Sequence, residues 1–297
     1  MADKLYFSPA DKLCFSPADK PCFSPADTLF LSDLDGTLLT RESVLPEGAA
    51  EKIRALCDHG VHLTYATART IRSAAYILAG VPYPAPVSLM NGTFLRDMTR
   101  GVYLKKHVID RTAAEEILGY PAEPFIYTLD ETDELFTAYR RLANPAMAGF
   151  MRERIERYNK PFCKLDTGLP TGVIVYFCYL AAREELLPLY ETLRGNPAVQ
   201  CTFYPDHQYP ETWYLEVFAA DASKGNAVRE LREVTGCKTI VAFGDNYNDL
   251  PMLRAADYAV AMETAPEEVR AAADAVVEPG MGVLHFIETH TMCEPIR

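Results

Sequence analysis

No CxxC pair occurs in this sequence, although it holds eight cysteines. They are scattered along a long chain, mostly in apolar stretches, so the spacing that a zinc site or a disulfide framework needs is missing. Free thiols in a reducing cytosol are the expectation. A run of eighteen apolar residues is also missing, so no transmembrane helix is expected. The N-terminus, MADKLYFSPADK, lacks a basic start, an apolar stretch and a small-residue cleavage site, which argues against a secretory signal. No basic stripe is present and the formal net charge is −12, which disfavours a nucleic-acid partner. These absences fit a cytoplasmic protein that works on neither membrane nor nucleic acid. An acidic chain still accommodates a phosphorylated small molecule if cations gather locally.

What is present is ample. The 297 residues suffice for two domains of ordinary size. Apolar residues make up 49% and charged residues 24% of them, the balance of a globular protein. The chain opens on an octad written four times: ADKLYFSP, ADKLCFSP, ADKPCFSP, ADTLFLSD. Asp33 stands where the first three copies have Pro9, Pro17 and Pro25. A proline every eight residues prevents one long helix and disfavours a central strand. Residues 1–26 therefore read as an N-terminal extension, loosely held as termini usually are, and only the fourth copy as a strand. Phe7, Phe15 and Phe23 are the residues that would dock it on an edge or a neighbour.

From Asp27 the pattern alternates. TLFLSD is a strand. SVLPEGAAEKIRALCDHG is a helix, with Pro46 in its first turn and Gly60 as its stop. VHLTYAT is a second strand, ARTIRSAAYILAG a second helix, and VSLMNG a third strand. Strand and helix in alternation argue for a parallel sheet. The rhythm breaks after Asn91-Gly92. GVYLKKHVI, FIYTLD and ELFTAY crowd together as strands, AMAGFMRERIERY is helical, and two further strands end the block. Residues 93–218 thus look like an α+β domain inserted into the first. The rhythm returns with SKGNAVRELREVTG, a helix capped by Ser223, and the strand KTIVAFGD.

Polar residues sit at the ends of these strands. Asp33 and Asp35 close the first and Thr67 the second, with Arg69 two residues on. Lys224 opens the helix after the insert. Asp245 closes a later strand, and Asn248 and Asp249 follow it. In an open parallel sheet such ends share one edge, where ligands bind. Three carboxylates together call for a divalent cation, and hard oxygens suit Mg²⁺. Thr67 offers a hydroxyl and Lys224 a fixed charge for a phosphate. A carboxylate beside a bound phosphate can attack phosphorus. Singly, each residue has a duller reading: a turn acid, an N-cap, a solvated helix lysine. Their ordered arrival at successive strand ends favours the chemical one. Tyr204, Asp206, His207, Tyr209 and Trp213 form a dense polar–aromatic stretch, a first place to look for substrate contacts.

DLDGTLL at 33–39, Thr67, Lys224 in SKGNAV, and GDNYNDLPML at 244–253 resemble the haloacid dehalogenase superfamily. NGTF at 91–94, the size of the insert, and LEVFAADASKGNAVREL resemble its Cof-type branch with a C2 cap. The likeness covers residues 27–288. It implies a Rossmann-like α/β core, residues 27–92 and 219–297, with an inserted α+β cap at 93–218. It implies a Mg²⁺-dependent phosphatase acting on a small phosphorylated metabolite. Asp33 would be the nucleophile and a metal ligand. Asp35 would be the acid and base, lending its backbone carbonyl to the metal. Asp245 would ligate Mg²⁺, with Asp249 behind it through water. Thr67, Ala68, Lys224 and Asn248 would surround the phosphoryl group. Ala68 departs from the TGR of the family motif, and its methyl narrows the approach to the phosphate. A phosphomutase of the same superfamily and a non-catalytic sensor of phosphometabolites are the alternatives. A receiver domain would be shorter, uncapped and without a use for Asp35. Monomer and homodimer are both open.

Overall fold

Five short apolar segments lie side by side in the order Ala275–Val277, Tyr258–Met262, Thr239–Gly244, Thr28–Ser32, His62–Tyr65. All neighbours are parallel. Such strands are buried on both faces, which is why they read as nearly unbroken apolar runs. Thr28–Ser32 is buried at every residue. The computed structural model describes residues 21–206, 209 and 211–291. By its internal contacts the chain forms two compact units. The first comprises residues up to Ala66, Gly80–Val87 and Ala227 onward, and holds the parallel sheet. The second comprises Thr67–Ala79 and Ser88–Asn226.

In the first unit, the helix Ala49–Asp58 starts later than its sequence suggests. Gly48 takes a left-handed φ of 77° immediately before it, so Pro46 lies outside the first turn. Gly60, at φ 82°, stops the helix as expected. The helix Leu250–Ala255, with Pro251 in its first turn, was not expected as a separate element.

The second unit is built on a six-stranded sheet in the order Val199–Pro205, Thr212–Ala219, Val173–Ala182, Pro124–Leu129, Leu135–Tyr139, Phe162–Lys164. All its pairs are antiparallel except the last. The short strand Phe162–Lys164 escaped the sequence reading. VSLMNG departs from expectation as well. Its strand, Val87–Leu89, joins a three-stranded sheet with Phe94–Asp97 and Val102–Lys106 instead of the parallel one. Met90, Asn91 and Gly92 all take positive φ, and the N–H groups of Gly92 and Thr93 donate back to Leu89 and Met90. That tight turn reverses the chain. A Cβ on Gly92 would meet the Ser223 carbonyl oxygen at 2.3 Å, so only glycine fits there. Ser223 caps the helix Lys224–Thr235 as expected, accepting from Asn226 N–H at 2.9 Å.

The loose-extension reading fails at Phe23. Its ring is 4% exposed and meets Phe30 edge-on at 6.0 Å and Tyr258 at 5.5 Å. Its N–H donates to the His290 carbonyl at 2.7 Å. The apolar ring outweighs the proline beside it, because the neighbouring aromatics offer it a buried seat. Phe7 and Phe15 lie outside the described residues. Deleting residues 2–20 should leave the melting temperature unchanged. Deleting 2–25 removes the ring, at about 3 kcal/mol for truncating a buried phenylalanine. That is a fall of roughly 6–12 °C for a domain of this size, read by thermal circular dichroism.

The six described cysteines carry free thiols. Among the described residues no helix is long and apolar enough to cross a membrane.

Candidate active site

The strand Thr28–Ser32 runs out into Asp33, whose N–H donates to the Phe243 carbonyl of the adjoining strand at 2.9 Å. The chain then coils through Leu34–Leu38, and Gly36 takes φ 82°. This delivers Thr37 to Asp245 at the end of the next strand: its hydroxyl donates to Oδ1 at 2.8 Å. Past Asp245 the chain makes one tight turn, Tyr247–Asp249, which brings Asp249 back. Asp249 is fully buried, and its Oδ2 accepts from the N–H groups of Asp245 and Asn246, each at 3.0 Å.

Asp33, Asp245 and Asp249 therefore offer carboxylate oxygens that all lie within 4.8 Å of one another. Three anions so close repel strongly. A divalent cation would offset that repulsion, and three carboxylate oxygens are the donors a hard cation takes. Gly36 makes room for the cluster. A Cβ there would fall 2.3 Å from Asp245 Oδ2. Asp35 does not join the three carboxylates. It is exposed, and its Oδ1 accepts the Ser43 hydroxyl at 3.0 Å. Asn248 sits half-buried in the middle of the turn.

Thr67, Ala68 and Lys224 belong to the second unit. Thr67 is buried and pinned three ways. Its N–H donates to Ser88 O, its carbonyl accepts from Asn91 N–H, and its Oγ1 accepts from Arg69 N–H at 3.1 Å. The hydroxyl hydrogen remains available for an anion. Ala68 is half-buried between Thr67 and Arg69. Lys224 is 2% exposed at the start of its helix.

The polar–aromatic stretch divides between the two faces of the six-stranded sheet. Tyr204 pairs with Tyr214 across the strands and stacks on it at 5.4 Å. Trp213 has the opposite parity and packs on Phe203 at 4.6 Å. Tyr209 is 60% exposed, and His207 lies outside the described residues. The Tyr204 face carries a buried polar cluster that sequence reasoning missed. Asn91 Nδ2 donates to Tyr176 Oη at 2.9 Å and to Glu216 Oε2 at 3.2 Å. Thr202 Oγ1 donates to the same Glu216 oxygen at 3.0 Å. Burial pushes the Glu216 carboxyl up, against the hydrogen bonds that favour its charged form. One signal was available: an acid between Leu215 and Val217 in an otherwise apolar strand.

The model of the haloacid dehalogenase-like hydrolases matches residues 30–287, and the chain belongs to that family. The Cof-type branch named by the motifs is the one its relatives populate. Over 281 residues it is 27% identical to the 5-amino-6-(5-phospho-D-ribitylamino)uracil phosphatase YwtE of Bacillus subtilis, covering 86% of this chain and 95% of that one. It is 24% identical over 270 residues to the pyridoxal phosphate phosphatase YbhA of Escherichia coli, covering 87% and 96%. A crystal structure from Thermotoga maritima shares its fold with a TM-score of 0.69, at 24% identity over 89% of this chain and 98% of that one. The enzyme class expected from the sequence, a phosphoric monoester hydrolase, is that of these named relatives.

Proposed function

We propose that this chain is a Mg²⁺-dependent phosphatase that hydrolyses a small phosphorylated metabolite through an aspartyl-phosphate on Asp33. The observation that carries the reading is the convergence of Asp33, Asp245 and Asp249 within 4.8 Å. These three side chains, with the Asp35 backbone carbonyl, would hold Mg²⁺, Asp249 acting through water. The cation would offset the carboxylate charge and that of the phosphoryl oxygens. Thr67 donates its hydroxyl to the phosphoryl group, Lys224 supplies positive charge, and Asn248 and the Ala68 backbone complete its surround. An Asp33 oxygen attacks phosphorus and the ester P–O bond breaks. Asp35 gives its proton to the departing alkoxide. The same carboxylate then takes a proton from water as that water attacks phosphorus. The bond to Asp33 breaks and orthophosphate leaves.

We assign residues 93–218 the role of a C2-type cap that selects the leaving group, and the cytosol as the compartment in which the thiols stay reduced. The curated relatives support a small-metabolite substrate: their names specify a ribitylaminouracil phosphate and a pyridoxal phosphate. The test is a panel of phosphorylated metabolites assayed for phosphate release. Release with Mg²⁺ and its loss in EDTA is the expected result. Release that survives EDTA would remove the metal from the reading, and no release from any ester would remove the phosphatase.

A further inference from the structure

Glu216 is a buried acid with no part in the chemistry described above. It lies 8% exposed on the strand Thr212–Ala219. Four side chains give hydrogen bonds to its carboxylate. Asn91 Nδ2 and Thr202 Oγ1 donate to Oε2 at 3.2 and 3.0 Å, and the Tyr176 and Tyr204 hydroxyls donate to the same group. A carboxylate has about four lone-pair sites, so these donors fill it. A substrate hydroxyl could bind there only by displacing one of them. Burying such a group is costly unless its sites are matched, and hydrogen bonds to a charged acceptor are roughly twice as strong as neutral ones. The arrangement suits a fixed anchor rather than a substrate contact.

What it anchors is the turn at Asn91. Met90 and Asn91 take φ 51° and 54°, a left-handed backbone that non-glycine residues keep only where the surroundings hold them in it. The Asn91 side chain supplies that hold, donating to Tyr176 Oη at 2.9 Å as well as to Glu216. The backbone of the same turn reaches both residues assigned to the phosphoryl group. Asn91 N–H donates to the Thr67 carbonyl at 3.0 Å, and Met90 N–H to the Arg69 carbonyl at 3.1 Å. On the other side, Gly92 lies so close to Ser223, the residue before Lys224, that an added Cβ would stand 2.3 Å from its carbonyl oxygen. One turn thus touches the segments that carry Thr67 and Lys224. We propose that Glu216 is a positioning residue: through Asn91 it holds the turn that sets Thr67 and Lys224 for the phosphoryl group. This rests on the phosphatase reading and deepens it. Glu216 touches neither substrate nor metal and takes no part in selecting the leaving group.

The test uses the full-length protein with Mg²⁺ and esters of unlike leaving groups: p-nitrophenyl phosphate, glycerol 3-phosphate and pyridoxal phosphate. Inorganic phosphate serves as a competitive inhibitor. Glu216→Gln replaces one acceptor oxygen with an NH₂ group that faces other donors. It should lower kcat/KM by about 10–100-fold, the scale of a misplacement of about 1 Å. The factor should be the same for every ester, because all share the phosphoryl group. The inhibition constant of phosphate should rise tenfold or more. Asn91→Gly removes the amide, and glycine adopts φ 54° without strain. It should show the same two losses, and it carries the test alone if Glu216→Gln does not fold. The double variant should be no worse than the more severe single one, since each breaks the same link. Unchanged kcat/KM and phosphate inhibition in the variants overturn the proposal while wild-type phosphate release continues. So does a loss that differs tenfold between esters, which would place Glu216 in leaving-group selection. So does a fall in kcat alone with a lowered melting temperature, which would mean lost folded protein, and so do single losses that multiply in the double variant. Failure of the wild type to hydrolyse any ester overturns the phosphatase reading and this inference with it.

Discussion

Asp33→Asn should release no measurable phosphate from any ester. An amide is a poor nucleophile and a weak metal ligand, so the substitution removes both roles proposed for this side chain. Acid-quenched wild-type protein should gain the mass of one phosphoryl group during turnover, and the variant should gain none. Asp35→Asn should be milder, a loss of about 10²–10⁴-fold, the usual scale of general acid–base help. Near-normal turnover in the Asp33 variant would rule out the covalent route. The contrast follows from the structure: Asp33 is buried in the carboxylate cluster, whereas Asp35 is exposed and bonded to Ser43.

Gly36→Ala should be nearly as damaging without touching an ionisable group. At φ 82° an alanine costs about 1–2 kcal/mol in backbone strain. Its methyl would also overlap Asp245 Oδ2. Asp245 would have to swing away, abandoning the Thr37 hydroxyl and leaving the other two carboxylates. A Mg²⁺ requirement raised roughly 10–100-fold is expected, the scale for disturbing the support of a metal ligand. Titrating phosphate release against Mg²⁺ measures it, with a melting curve to separate unfolding from metal loss. An unchanged Mg²⁺ dependence would mean that Asp245 does not bind the ion from this position.

The carboxylates were legible because their signal is local. Asp33 and Asp245 each stand at the end of an apolar run, with Asp249 one turn beyond, and a parallel sheet gathers such ends on one edge whatever lies between them. The order of the strands needed more than periodicity. VSLMNG looked like one more parallel strand, yet three consecutive positive φ values at its end, Met90, Asn91 and Gly92, reverse the chain, and Met90 gives no sign of such a turn. Phe23 was misread for a related reason. Its octad neighbours suggest a dispensable tail, while the aromatic seat made by Phe30 and Tyr258 comes from the sheet itself.

That seat has a consequence at the level of the gene. Eight residues correspond to twenty-four nucleotides, so gaining or losing a whole unit would preserve the reading frame. Every proline-ended unit carries phenylalanine at the position of Phe23. Whichever copy happens to precede ADTLFLSD would deliver the same ring to the same aromatic neighbours and leave Asp33 in register. The enzyme is thereby buffered against changes in copy number in its own leader, down to a single copy, and loses its anchor only when the last one goes.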